Sequence, residues 1–383
     1  MKVAIVHDWL TTWAGAEKAL AELLACYPQA EIFTMVNFLP TDKTPCLVGR
    51  TVHTSFIQKL PGARKHYRRY LPLMPLAVEQ FDLKGFDLIL SSSHAVAKGV
   101  ISDPGAVHVC YCYSPMRYAW DMQHQYLRQS GNTRGPVSWL MRWQLHRLRQ
   151  WDYISAQRVD HFIAISHYIE RRIETFYRRK AEVIYPPVDV EKFSYDRPRE
   201  AFYLTASRMV PYKRIDLVIE AFNQMPDRQL VVIGDGPDYA KLKALAGPNV
   251  TLLGYQSDDV LVDHLERARA FVFMAEEDFG ILPVEAQAAG APVIGYGVGG
   301  MRETIVNGGS GLLVQEQTVE ALVVRIKQFE ALQAVPTEGK DEEAPFTPLV
   351  CRKSAIRFAS ANFRQAIESL IQRYLNNNAE ADR

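Results

Sequence analysis

Cysteine is scarce in this chain: five among 383 residues (Cys26, Cys46, Cys110, Cys112 and Cys351), with no Cys-x-x-Cys spacing. An odd count without paired spacing argues against a disulfide framework or a zinc site. Long apolar runs are lacking too. No stretch approaches the ~18 consecutive apolar residues of a membrane-crossing helix. The opening MKVAIVHDWL breaks its apolar run at His7 and Asp8, so it reads as a buried first strand and not as a secretion signal. These absences lead us to expect a cytoplasmic protein. Net charge is nearly absent, at +1, so no general attraction to nucleic acid is expected. The turn Gly234-Asp235-Gly236-Pro237 carries Tyr239 where a dinucleotide fingerprint would place its third glycine, which disfavours a nicotinamide-dependent dehydrogenase. No Asp-x-Asp stands at a strand end, which fits a site that works without a metal.

The charge that is present is unevenly placed. Residues 1–185 hold 23 Lys+Arg against 15 Asp+Glu, and the remainder holds 21 against 28. A basic half joined to an acidic half suggests two modules with different partners. The hydrophobic pattern agrees. Short apolar runs at 2–7, 86–91, 107–112 and 161–165 alternate with helical patterns at 15–26 and 138–158. A second series of runs follows at 201–206, 229–234, 249–254, 270–275 and 292–295. Such alternation predicts parallel sheets covered by helices on both faces, hence two doubly wound α/β domains. Tyr185-Pro186-Pro187 and the polar stretch to Arg199 make a natural linker. The expected division is 1–185, 186–357 and a C-terminal helix, 358–383, packing back toward the N-terminal domain. The charged, Pro-rich stretch 334–348 is expected to be a loop or short insertion.

Two segments carry chemistry. In 276–290, EEDFGILPVEAQAAG, Glu277 and Glu285 are eight apart, with Phe279-Gly280 and Pro283 between them. With Pro283 in a first helical turn, the N–H groups of Gly280, Ile281 and Leu282 point out of a helix N-terminus, a ready site for phosphate. A carboxylate on each side can accept hydrogen bonds from sugar and ribose hydroxyls. In 205–217, TASRMVPYKRIDL, Arg208 and Lys213 follow a strand and precede a helix, where they could clamp a diphosphate. Taken singly, the first segment is equally a capped helix and the second a pair of solvated charges. Their placement at strand ends of one sheet favours a site.

SRMVPYKRIDLVIEAF, VVIGDGP, VTLLGY, EEDFGILPVEAQAAGAPVIGYGVGGMRETI and NGGSGLLV, in that order, resemble the donor-binding half of glycosyltransferase family 4. The N-terminal HDWLTTWAGAEKAL, LPLMPLAVEQFDLKGFDLILSSSHAVAKGV, YCYSPMRYAWD and VDHFIAISHYIERRI resemble a bacterial polysaccharide branch of that family. The resemblance implies the GT-B fold, two Rossmann-like domains facing an inter-domain cleft that closes about the linker. It also implies roles. Arg208 and Lys213 would hold the donor diphosphate and stabilise the leaving group. Glu277 would bond the transferred sugar, Gly280, Ile281 and Leu282 would offer N–H groups beside Phe279, and Glu285 would hold the ribose. Tyr255 would lie against the base, and Gly15 would let a donor phosphate or acceptor approach the backbone. Many relatives carry a sugar-facing histidine where this chain has Tyr113. His94 is the alternative imidazole, with Lys98 and Arg117 as further acceptor-side candidates.

The expected activity is retaining, metal-independent and cofactor-free transfer of a hexose from a nucleotide-diphosphate sugar, with UDP-glucose favoured over GDP-mannose. The acceptor is expected to be a saccharide, or a lipid-linked one, in cell-surface polysaccharide synthesis. Basic residues mixed with aromatics at 59–72 and 140–151 (Arg142, Arg147 and Arg149 with Trp143 and Trp151) suit peripheral contact with an anionic membrane, at its inner face; a solvated basic face with buried aromatics is the other reading. A nucleotide-sugar epimerase and a non-catalytic nucleotide-sugar-binding subunit are the competing functions.

Overall fold

The computed structural model describes residues 1–40, 44–129, 131, 133–334 and 344–381. It contains two compact units, Met1–Pro186 with Phe363–Arg383, and Pro187–Asn362. The first is built on seven strands: β1 (Val3–His7), β2 (Glu31–Thr34), β3 (Val52–Thr54), β4 (Leu88–Ser93), β5 (Val107–Cys112), β6 (His161–Ala164) and β7 (Ala181–Val183). All pair in parallel, in the order β3-β2-β1-β4-β5-β6-β7. Every residue of β1, β4 and β5 is buried. That is why these strands read as continuous apolar runs without alternation. Strand order reverses between β1 and β4, which pair from Val3↔Leu88 to His7↔Ser92. In sheets of this kind ligands bind outside the carboxyl ends of the strands at such a reversal.

Helix Gly15–Cys26 buries Ala19, Leu20, Leu23 and Leu24, at the spacing expected of one helical face. At its start Ala14 N–H donates to Glu17 at 2.9 Å. The final helix, Ser360–Ala381, supplies Phe363, which meets Tyr111 edge-on at 5.5 Å, and Tyr374, which stacks on His161 at 3.7 Å.

The second unit holds β8 (Tyr203–Ala206), β9 (Leu230–Ile233), β10 (Val250–Gly254), β11 (Ala270–Phe273), β12 (Val293–Tyr296) and β13 (Gly311–Val314). They are parallel in the order β10-β9-β8-β11-β12-β13, so the reversal lies between β8 and β11. Helix Ile215–Asn223 buries Ile215, Leu217, Val218, Ile219 and Phe222, and helix Val319–Gln333 adds Leu322, Ile326 and Phe329 to the same core.

Most runs read from the sequence are strands within two residues of their expected limits. The run at 86–91 is displaced: β4 begins at Leu88, because Phe86 closes a turn with Leu83 before the strand. The stretch 334–348 is expected to be a loop or short insertion; residues 335–343 of it lie outside the described residues.

Candidate functional site

In the second unit three of the sequence-chosen residues follow the two strands that flank the reversal point. Arg208 and Lys213 lie beyond the end of β8, and Glu277 lies beyond β11. Lys213 Nζ and Glu277 Oε1 form an ion pair between the two segments. The Lys213 ammonium also lies 5.5 Å from the Phe273 ring centre. Arg208 is exposed, and its guanidinium makes no ion pair among the described residues.

Three residues past Glu277, helix Ile281–Ala288 begins, with Gly280 as its cap at φ +93°. A side chain there would be strained, and its Cβ would come 2.9 Å from Met301 Sδ. Pro283 sits in the first turn, where its missing N–H costs nothing. The N–H groups of Ile281 and Leu282 have no acceptor one turn back within the helix, so the N-terminus is a place for an anion. Glu285 is the fifth residue of this helix and half-buried. Gly299 and Gly300 complete the rim. Glu277 bridges to Gly299, and Gly300 N–H donates to Glu277 C=O at 2.8 Å. A Cβ on Gly299 would stand 2.2 Å from that carbonyl oxygen. The Phe279 ring points away, buried edge-on against Phe358 at 5.1 Å, so its part in the rim is played by its main chain. Tyr255, just past β10, is 80% exposed.

In the first unit the reversal point is occupied by a residue the sequence reading passed over. Asp8 follows β1 and is fully buried. Its carboxylate accepts four main-chain N–H groups: His94 (2.6 Å) and Ala95 (2.9 Å) on Oδ2, Val96 and Ala97 (both 2.7 Å) on Oδ1. His94 Nδ1 is also 2.9 Å from Oδ2. Burial alone would raise the Asp8 pKa, but the charge and hydrogen bonds of His94, with the N–H bond from Ala97, hold it well below the usual carboxylate range. The one available signal was a charged residue closing an apolar strand in HDWL.

Tyr113 and Gly15 belong to a neighbouring chain of contacts. Tyr113 OH lies 3.0 Å from Ala16 C=O and 2.9 Å from Ser92 Oγ, and Ser92 Oγ lies 2.9 Å from His7 Nδ1. A carbonyl can only accept, so Tyr113 donates to Ala16. Ser92 therefore donates to Tyr113, and His7 donates from Nδ1 to Ser92. Burial keeps the Tyr113 phenol above its ordinary pKa. Its hydroxyl thus braces the first turn of the helix that Gly15 opens.

Lys98 requires a correction. It is 2% exposed, and its ammonium is paired with Asp152 and bonded to Ala95 C=O at 3.1 Å. Trp120 Nε1 and Tyr177 OH donate to the other Asp152 oxygen at 2.7 and 2.8 Å. With both charges buried and mutually paired, the Lys98 ammonium is not offered to an acceptor. Arg117 is half-buried beside Met122 Sδ. Trp151 and Arg149, expected on a membrane-facing surface, turn inward. Trp151 donates to Glu79 at 2.9 Å, and Arg149 donates to Ala119 C=O at 2.7 Å. Among the described residues no cluster of three metal-ligating side chains occurs, and no helix is long and apolar enough to cross a membrane.

Comparison with known proteins places this geometry. The family model of glycosyl transferases group 1 matches residues 189–342, and that of glycosyltransferase family 4 matches residues 13–192. The uncharacterized glycosyltransferase MJ1178 of Methanocaldococcus jannaschii is 29% identical over 197 residues, covering 49% of this chain and 56% of that protein. A GDP-mannose-dependent monoacylated alpha-(1-6)-phosphatidylinositol monomannoside mannosyltransferase of Corynebacterium glutamicum is 32% identical over 195 residues, covering 43% and 51%. The chain thus spans about half the length of these curated relatives. Among solved structures, Anabaena Alr3699/HepE in complex with UDP superposes with a TM-score of 0.68 at 18% identity, over 97% of this chain and all of that one. The two doubly wound sheets are those of the GT-B fold, and the chain belongs to glycosyltransferase family 4.

Proposed function

We propose that this glycosyltransferase moves a hexose, with retention of configuration and without a metal or other cofactor, from UDP-glucose to a saccharide acceptor in cell-surface polysaccharide synthesis. The observation that carries this proposal is the Lys213–Glu277 pair across the β8/β11 reversal, beside the exposed Arg208 and the free end of helix Ile281–Ala288. Cleavage of a sugar–phosphate bond builds positive charge on the anomeric carbon and negative charge on the departing diphosphate. Arg208, Lys213 and the helix N-terminus would all bind that second charge more tightly in the transition state. Loss of one such contact typically costs ~2–4 kcal/mol. Glu277 would hold the sugar hydroxyls, Glu285 the ribose, and Tyr255 the base. The acceptor hydroxyl attacks from the face the diphosphate leaves, and the departing phosphate oxygen takes its proton. No protein nucleophile is required.

UDP-glucose is favoured because Anabaena HepE, of the same fold, has been crystallised with it. GDP-mannose is the second candidate, the donor named for the Corynebacterium glutamicum relative. A panel of UDP- and GDP-sugars, read by thermal shift and by donor hydrolysis, separates them. UDP-glucose should give the largest shift and release UDP. A shift with GDP-mannose alone would replace the donor, and no shift with any nucleotide sugar would remove the proposal.

For the acceptor we propose a lipid-linked saccharide met at the inner face of an anionic membrane. Helix Pro136–Ala156 exposes Val137, Trp139 (78%), Leu140 and Trp143 beside Arg142, His146 and Arg147. Residues 134–150 contain no acidic side chain, and neither do residues 56–78, which expose Lys59, Arg64, Lys65, Arg68 and Arg69. Exposed tryptophans with arginines and no acids suit an anionic interface.

A further inference from the structure

We infer that the neutral imidazole of His94 accepts a hydrogen bond from a hydroxyl of the acceptor saccharide, and that Asp8 is the positioning residue that fixes its tautomer and direction. The inference rests on the glycosyltransferase reading above.

Asp8 is the starting point. It sits at the carboxyl end of β1, His94 at the carboxyl end of β4, and these are the two strands that flank the order reversal of the first sheet. A fully buried carboxylate that accepts four main-chain N–H groups is ionised, and an ionised carboxylate has no proton to give. With His94 Nδ1 2.9 Å from Oδ2, an unprotonated Nδ1 would set a lone pair against a carboxylate oxygen. Nδ1 therefore carries a proton. In the neutral ring Nε2 is then the lone-pair nitrogen. The Trp9 ring packs against the imidazole at 88° and 4.6 Å between centres, which limits its rotation. Nε2 makes no hydrogen bond among the described residues, and the side chain keeps 34% of its surface open.

The arrangement is an acceptor nitrogen held on a rigid mount at the place where doubly wound sheets bind ligands. Tyr113 cannot supply it, because its single proton is committed to Ala16 C=O and its oxygen accepts from Ser92. The ligand that matches a neutral lone-pair nitrogen is a hydroxyl donor. Asp8 acts only through the ring, as the carboxylate of a serine-protease triad orients its histidine.

The two amide analogues of histidine test the assignment. In His94→Asn the amide can reach Asp8 from the Nδ1 position but has nothing at the Nε2 position; His94→Gln reaches the Nε2 position. With donor saturating, kcat/KM for the acceptor should fall ~100-fold in His94→Asn and clearly less in His94→Gln. The KM for the nucleotide sugar should stay within twofold of wild type in both, with melting temperatures preserved. Equal losses in the two variants, no loss in His94→Asn, or a large rise in donor KM would each overturn the assignment. A second measurement does not depend on turnover. In wild-type protein with 15N-labelled histidine, assigned by the signal missing in His94→Asn, neutral His94 should show the Nδ1–H tautomer. An Nε2–H tautomer overturns the role of Asp8 even if transfer is seen. Failure of every donor in the panel above, with the Nδ1–H tautomer found, would instead sink the glycosyltransferase donor reading and leave the mount intact.

Discussion

Lys213 and Glu277 are the residues on which the proposed donor chemistry turns, and they are paired with each other. On the proposed reading a diphosphate entering the site would take Lys213 away from Glu277, or share it, and the carboxylate would become available to sugar hydroxyls as the ammonium turned to phosphate. This coupling has a measurable consequence. In Glu277→Gln the competition for Lys213 disappears, so the free nucleoside diphosphate should bind about 2–5-fold more tightly, the range of a weakly exposed ion pair worth roughly 0.5–1 kcal/mol. Turnover should fall by about 100-fold or more, because the sugar loses a charged partner in the transition state. Isothermal titration with the nucleoside diphosphate and a steady-state transfer assay check the two halves. Unchanged or weaker diphosphate binding in Glu277→Gln would show that the ion pair does not compete with the ligand.

At the scale of the element, helix Pro136–Ala156 changes character along its length. Its second half buries Leu148, Asp152, Ser155 and Ala156, while its first half exposes two tryptophans one turn apart. Replacing Trp139 and Trp143 together by Ala should therefore leave the melting temperature within about 2 °C, since neither ring fills the core. Binding to anionic vesicles should drop at least ~10-fold if each ring buries ~1.5–3 kcal/mol of apolar surface in the interface. Co-sedimentation with anionic and neutral vesicles measures it; equal binding by the double variant and wild type would remove this face as the contact. The sequence exposed the aromatics and arginines of this helix but not their sides, and so grouped Trp151 and Arg149 with Trp143. Their inward turn depends on Glu79 and Ala119, which lie 72 and 30 residues away. Lys98 was hidden in the same way, since only the fold brings Asp152 to it. The geometry of segment 270–288, by contrast, was legible because it is local: strand, glycine turn and helix start fall within fifteen residues. Strands β2, β3, β7 and β13 went unread: β3, β7 and β13 are edge strands, and β3 and β7 have no buried residue, so no buried apolar run marks them. Asp8 was missed because its meaning lies in four N–H groups some 86 to 89 residues away.

For the whole molecule, charge and acid stability follow from the same placements. With its C-terminal helix included, the first unit carries 26 Lys+Arg against 18 Asp+Glu, and the second 18 against 25. The basic unit is therefore the one with the exposed tryptophans. The acid limb of unfolding should be governed first by a residue remote from either site. His108 is fully buried in β5, its Nε2 2.8 Å from Ser91 Oγ. Burial, assisted by the positive charges of Arg158 and Lys98, lowers its pKa from 6.5 to about 3. The folded protein thus keeps His108 neutral while the unfolded chain protonates it below 6.5. Its contribution is complete above pH 6.5 and is lost as the pH falls toward 3, at up to about 1.4 kcal/mol per pH unit for one proton. Asp8 adds little to this slope until the pH drops below ~5, where the unfolded carboxylate begins to protonate and the folded one does not. Between about pH 6.5 and 5 the two are therefore separable. In His108→Gln, urea unfolding over that range should lose about one proton's worth of pH dependence, whatever its offset in stability at pH 7. An unchanged slope would mean that His108 is already protonated in the folded protein.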